Sequence, residues 1–122
     1  MELKTEVVTF RDGSCLTVSE ENWDIGTRLE ELEREAQSNP LPDLRAQVFR
    51  EIFYTKLAAC SSGDVPTEEQ ARQMPSTELD KWYLAAKRVN PNWFAPIDEL
   101  TKEAQAAQIK KNRKRPRKSG NG

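Results

Sequence analysis

Residues 42–60 read PDLRAQVFREIFYTKLAAC. Leu44, Val48 and Ile52 recur at steps of four, and so do Phe49, Phe53 and Leu57. Such steps return to one side of an α-helix, so the stretch is predicted to be a helix with a broad apolar stripe. Arg45, Arg50, Glu51 and Lys56 flank that stripe, and its width predicts a central core helix. Pro42 or Asp43 suits the first turn. Ser61-Ser62-Gly63-Asp64 supplies the stop.

Upstream, Ile25, Leu29, Leu32 and Ala36 follow steps of four, three and four, which predicts a helix over about 23–38. Ser19 or Asn22 is its expected cap. Gly26 weakens its start, and Asn39-Pro40-Leu41-Pro42 ends it. Before that helix, Asp12-Gly13 lies between two short β-rich runs that include Val7, Val8, Phe10 and Cys15–Val18. This pattern predicts a hairpin over 2–18. With a two-residue loop, Val7 faces Val18 and Thr9 faces Leu16, leaving one apolar face to lie against helices.

Downstream, Pro66 and Thr67-Glu68-Glu69-Gln70 open a short helix over 67–74, with Thr67 and Gln70 at capping-box spacing. Met74-Pro75 closes it. Ser76 or Thr77 is the expected cap of a helix over 76–89, with Leu79, Trp82, Tyr83, Ala86 and Val89 on its inner side. Asn90-Pro91-Asn92 breaks that helix. Pro96 is the expected start of a last one over 96–109, through Ile97, Leu100, Ala104 and Ala107. The predicted fold is mainly α with a small N-terminal β-hairpin, an α+β domain of four to five helices over residues 1–109. A disordered basic tail over 110–122 follows it.

Charge divides at the same boundary. Residues 1–109 hold 20 acidic and 12 basic side chains, a balance of −8, whereas residues 110–122 hold seven basic and none acidic. Apolar residues make up 36% of the chain and charged ones 32%, so the core is expected to be small and a binding partner would stabilise it. No stretch approaches the roughly 20 apolar residues of a membrane span. The N-terminus lacks the apolar core of a secretory signal, and a cytoplasmic location is expected. Cys15 and Cys60 fit no close metal or redox spacing and are expected to be reduced, partly buried thiols.

Histidine is absent, which excludes Ser-His-Asp and Cys-His nucleophile systems and histidine-ligated metals. No glycine-rich phosphate loop occurs. Carboxylates fall mostly in runs such as LEELEREAQ, at the spacing of a solvated helix face. The expectation is therefore a non-enzyme with no cofactor and no metal.

Two features bear on binding. Trp82, Tyr83, Trp93 and Phe94 cluster in LDKWYLAAKRVNPNWFAP. They read either as core plugs or as a partner-binding patch, because exposed Trp and Tyr anchor interfaces. Neighbouring helix positions lie about 100° apart, so Trp82 and Tyr83 cannot both point inward. The second feature is the tail, with Lys110, Lys111, Arg113, Lys114, Arg115, Arg117 and Lys118 as candidate nucleic-acid contacts. A solvated end, or docking on an acidic protein surface, fits the same composition.

The layout also resembles a family: the small tail assembly chaperones of long-tailed (siphovirus-like) bacteriophages. The resemblance rests on the hairpin around RDGS, the helix ending YTKLAACSSGDVPTEEQ, and ELDKWYLAAKRVNPNWF, and it spans roughly residues 2–97. It implies a mostly helical protein that binds the tape measure protein and helps recruit tail tube subunits. It also implies a place in the host cell cytoplasm and absence from the finished particle. The short form in that family is often made beside a longer one by a −1 frameshift. Lys110-Lys111-Asn112 admits a slippery A AAA AAC codon run. On this reading Trp82, Tyr83, Trp93 and Phe94 are the contact residues, with Phe49, Ile52, Phe53 and Leu57 mostly as floor. The alternative is a small regulatory or accessory protein that contacts nucleic acid through its basic tail.

Overall fold

The structure is a computed structural model, and it describes residues 1–94. The expected helix over 96–109 and the basic tail lie outside the described residues. The chain is mainly helical with a small antiparallel sheet at its N-terminal end, as the sequence predicts. The sheet holds β1 (Thr5–Thr9), β2 (Cys15–Ser19) and β3 (Ser61–Gly63), in that order. The helices are α1 (Trp23–Ser38), α2 (residues 44–59), α3 (Glu68–Gln73) and α4 (Ser76–Val89). Within α2, α-helical Leu44–Val48 and Thr55–Ala59 flank a π-helical segment, Phe49–Tyr54.

The hairpin forms, but one residue out of the expected register. Val8 faces Leu16 and Val7 faces Thr17. The loop has three residues, not two: the Gly13 amide donates to the Phe10 carbonyl at 2.9 Å, and the Phe10 amide donates to the Ser14 carbonyl at 2.8 Å. Gly13 sits at φ +91°, the left-handed position that follows a type I turn in a three-residue loop. Asp12 Oδ1 accepts from the Ser14 amide at 2.9 Å and holds the turn. The extra loop residue reverses which alternate side chains face inward. Val8, Phe10, Leu16 and Val18 are buried, and Val7 is exposed.

The third strand has no counterpart in the sequence reading. Ser61-Ser62-Gly63 ends α2, as expected, and also pairs antiparallel with β2. Gly63 sits at φ +95°, and a Cβ there would meet the Cys15 carbonyl oxygen at 3.2 Å. Ser61 is the pivot of this corner. Its hydroxyl donates to the Leu57 carbonyl at 2.5 Å and accepts from Trp82 Nε1 at 2.9 Å.

Polar clips fix the helices to the sheet. Asn22 caps α1 by accepting from the Ile25 amide at 2.9 Å. Asp43 caps α2, and Thr67 and Gln70 form the expected capping box on α3. Helix α4 differs from expectation: Pro75 precedes it with no side-chain cap, and its carbonyl accepts from the Glu78 and Leu79 amides. Glu78 is buried and accepts from the Arg11 amide at 2.6 Å, tying the hairpin loop to α4. Lys81 and that amide hold its carboxyl below the usual carboxylate range. At the far end of α4, Asn90 Oδ1 accepts from the Glu21 amide and Nδ2 donates to the Ser19 carbonyl, both at 2.8 Å. The break falls at Asn90 as expected, and residues 91–94 beyond it are helical again, with Pro91 opening the new turn.

Helix α1 lies against α2, where Arg28 donates to the Ala59 carbonyl at 3.2 Å. Its apolar stripe is only half-buried at Ile25, Leu29 and Leu32, and fully buried at Ala36. Arg50 and Arg72 both bind Glu68, linking α2 to α3. Burial raises the Glu68 carboxyl, but the two guanidinium groups together bring it below the ordinary range.

Cys60 is buried and Cys15 is exposed, which corrects the expectation that both are partly buried. They flank opposite ends of β2: Cys15 opens the strand, and the Cys60 carbonyl accepts from Ser19. Burial pushes the Cys60 thiol up to about 11. The thiolate is the reactive form. One thiol should therefore react rapidly with Ellman's reagent in the native protein and both in denaturant. Two fast native thiols would contradict this packing.

Candidate protein-binding surface

At about 100° per residue, the six apolar positions of α2 span about 220° of its circumference. The neighbours of α2 leave part of that arc uncovered. Leu57 is fully buried and Phe49 and Phe53 are half-buried against the core. The other half faces outward: Leu44 is 75% exposed, Val48 45% and Ile52 37%. Helix α2 contacts α1, α3, α4 and β3, as a central helix should, but the expectation that its whole stripe is core is corrected at Leu44, Val48 and Ile52. The three exposed residues follow steps of four, so they form one apolar strip along α2.

A row of rings runs beside the strip. Phe49 and Phe53 have centroids 5.4 Å apart, Phe53 stacks on Tyr83 at 5.2 Å, and Tyr83 meets Phe94 edge-on at 5.2 Å. Lys87 Nζ lies 5.9 Å from the Tyr83 ring centroid. The π-helical segment at Phe49–Tyr54 carries this row, and the Thr55 amide donates five residues back to the Arg50 carbonyl. Such segments recur at functional sites.

The four predicted contact residues separate. Trp82 and Phe94 are fully buried, so neither can meet a partner. Trp82 sits edge-on to Phe10 and Tyr54, with its indole N–H on Ser61. The reason lies in the sheet corner, which supplies the one acceptor a buried indole needs. Tyr83 and Trp93 remain half-buried at the margin of the core. Trp93 Nε1 donates to Glu21 Oε1 at 3.0 Å. Tyr83 belongs to the ring row beside the strip. Lys110, Lys111, Arg113, Lys114, Arg115, Arg117 and Lys118 lie outside the described residues.

The sequence reading passed over Trp23, which opens α1 and is exposed two residues from Glu21. Leu44 and Val48 carry their signal in a stripe wider than the neighbours of α2 cover.

A cavity of about 760 Å³ opens between the hairpin loop and α3, with Phe10, Val65 and Met74 among its apolar lining. Asp12, Asp64 and Glu78 also line it. Each carboxylate is committed to backbone: Asp12 to Ser14, Asp64 to the Cys15 amide at 3.2 Å, and Glu78 to Arg11. They therefore hold the loops together. Among the described residues, no helix is long and apolar enough to cross a membrane. Comparison with protein-family models, curated proteins and solved structures finds no match for this chain.

Proposed function

We propose that this chain is a non-catalytic protein-binding module that seats an amphipathic helix along the outward strip of α2. The observation that carries this reading is the line Leu44, Val48, Ile52, exposed at helical spacing beside the ring row of Phe49, Phe53 and Tyr83. A helix laid there meets anchors at its own i, i+4 and i+7 positions. A partner's apolar stripe would be kept from water, and the acidic balance of residues 1–109 would keep the complex dispersed.

Within that class, the particular reading is a phage tail assembly chaperone whose client is the tape measure protein. It assists tail tube assembly in the host cytoplasm and leaves before the particle is complete. The resemblance in the hairpin, the GDVPT turn and the WY…NPNWF segment supports it. A tape measure protein is long, helical and apolar. Many weak grips along such a client add up through avidity.

The basic tail favours the second reading, a nucleic-acid accessory protein. Co-expression with the long helical protein of the same gene cluster separates the two. The chaperone reading expects the client to stay soluble and co-purify with the full chain and with residues 1–109 alike. Loss of all binding on removal of residues 110–122, together with salt-sensitive retention on nucleic acid by the full chain, would support the alternative.

A further inference from the structure

Among the described residues, strand β1 stands at one edge of the sheet, paired with β2 alone. Opposed residues in an antiparallel pair alternate between hydrogen-bonded and non-bonded. The Phe10 amide bonds Ser14, and the Glu20 amide bonds Lys4, so the even-numbered residues of β1 face β2. The N–H and C=O groups of Thr5, Val7 and Thr9 therefore point to the open edge. Natural edges are usually blunted by charged side chains, lysine above all, by proline, a bulge or a covering element. Here Thr5–Thr9 is TEVVT, with neither proline nor lysine and no bulge, and its one charge, Glu6, is held by Arg88 of α4 at 2.8 and 2.9 Å. Val7 is 69% exposed, and Leu84 of α4, 47% exposed, lines a shallow groove with it along this edge, flanked by Lys81 and Arg88.

We infer that β1 pairs with β1 of a second copy of this chain, antiparallel about a two-fold axis at Val7. The order of outward-bonding residues carries the choice of occupant. Thr5, Val7 and Thr9 read the same in both directions. The two-fold sets Thr5 against Thr9 of the second copy and Val7 against its own equivalent. Thr–Thr and β-branched pairs are favourable across strands. On the other face Glu6 meets Val8 and Lys4 meets Phe10, so no like charges oppose along the strand. The result is a closed two-fold pair with a continuous sheet and both α2 strips free. It is independent of what those strips bind.

Sedimentation velocity of the full chain across the micromolar range tests this. The expected result is a concentration-dependent dimer that Val7→Lys weakens about fivefold or more, the effect of two like charges at the axis, while the thermal melt is unchanged. A second variant needs no measured affinity. Residues facing each other in a hydrogen-bonded pair have Cα atoms about 5.5 Å apart, within disulfide reach. In a Cys15→Ser background, Val7→Cys should oxidise to a linked dimer, and Thr17→Cys on the interior strand should not. A monomer throughout with equal cross-linking at both sites, or a dimer untouched by Val7→Lys, would overturn the inference.

Discussion

Replacing Trp82 by Ala is expected to cost about 3–5 kcal/mol of stability, the usual range for a large buried aromatic. The side chain is fully buried where the sheet corner, α2 and α4 converge. Its loss leaves a void beside Phe10 and Tyr54 and strips Ser61 of its indole donor. Native domains hold only about 5–15 kcal/mol in total. The variant should therefore unfold at much lower urea, with the dependence on denaturant unchanged. Trp82→Phe should cost less, because a ring still fills most of the space. A loss under about 1 kcal/mol for Trp82→Ala would mean the indole is not the plug described here.

The opposite pattern is expected on α2. Val48→Glu with Ile52→Glu places two charges in the outward strip, where each side chain already meets solvent. Surface changes of this kind usually move stability by about 0.5 kcal/mol or less. Binding should respond far more strongly. A charge buried against an apolar partner is left unpaired, and an interface anchor is worth about 2 kcal/mol or more, roughly 30-fold in affinity. The pair of variants thus separates core from surface. Trp82→Ala lowers stability first, and the double charge lowers affinity at nearly constant stability.

Much of the architecture was legible because helix signals are local. The steps of α1, α2 and α4, the Thr67…Gln70 box and the Asn22 cap all act within a few residues, and each reappears. What the pattern missed depends on contacts distant in sequence or on a single inserted residue. The hairpin slipped by one because Gly13 takes a left-handed position in a three-residue loop, and period-two alternation turns that slip into a change of face. Strand β3 is three small polar or glycine residues with no alternation, made a strand only by the edge of β2. One of Trp82 and Tyr83 is expected at the edge of the core or outside it, and Tyr83 lies half-buried at that edge. Which one goes in was decided by Ser61, 21 residues away, as the partner of the indole.

The binding surface was half legible. Aromatic clustering pointed to residues 82–94, and two of those four rings are buried. The strip on α2 lay instead within the stretch that most resembled core. Pattern alone marks a wide apolar arc without saying which part of it neighbours will cover. Here the sheet and α4 lie against the half bearing Leu57, and Leu44, Val48 and Ile52 are left outside.

The most direct test is a calorimetric titration of amphipathic helical segments of the proposed tape measure client into wild type and the Val48→Glu, Ile52→Glu variant. Saturable binding by the folded wild type, weakened about 30-fold or more in the variant at equal stability, is the predicted result. Equal binding by both proteins, or none by either, would contradict the assignment of α2 as the surface that holds the client.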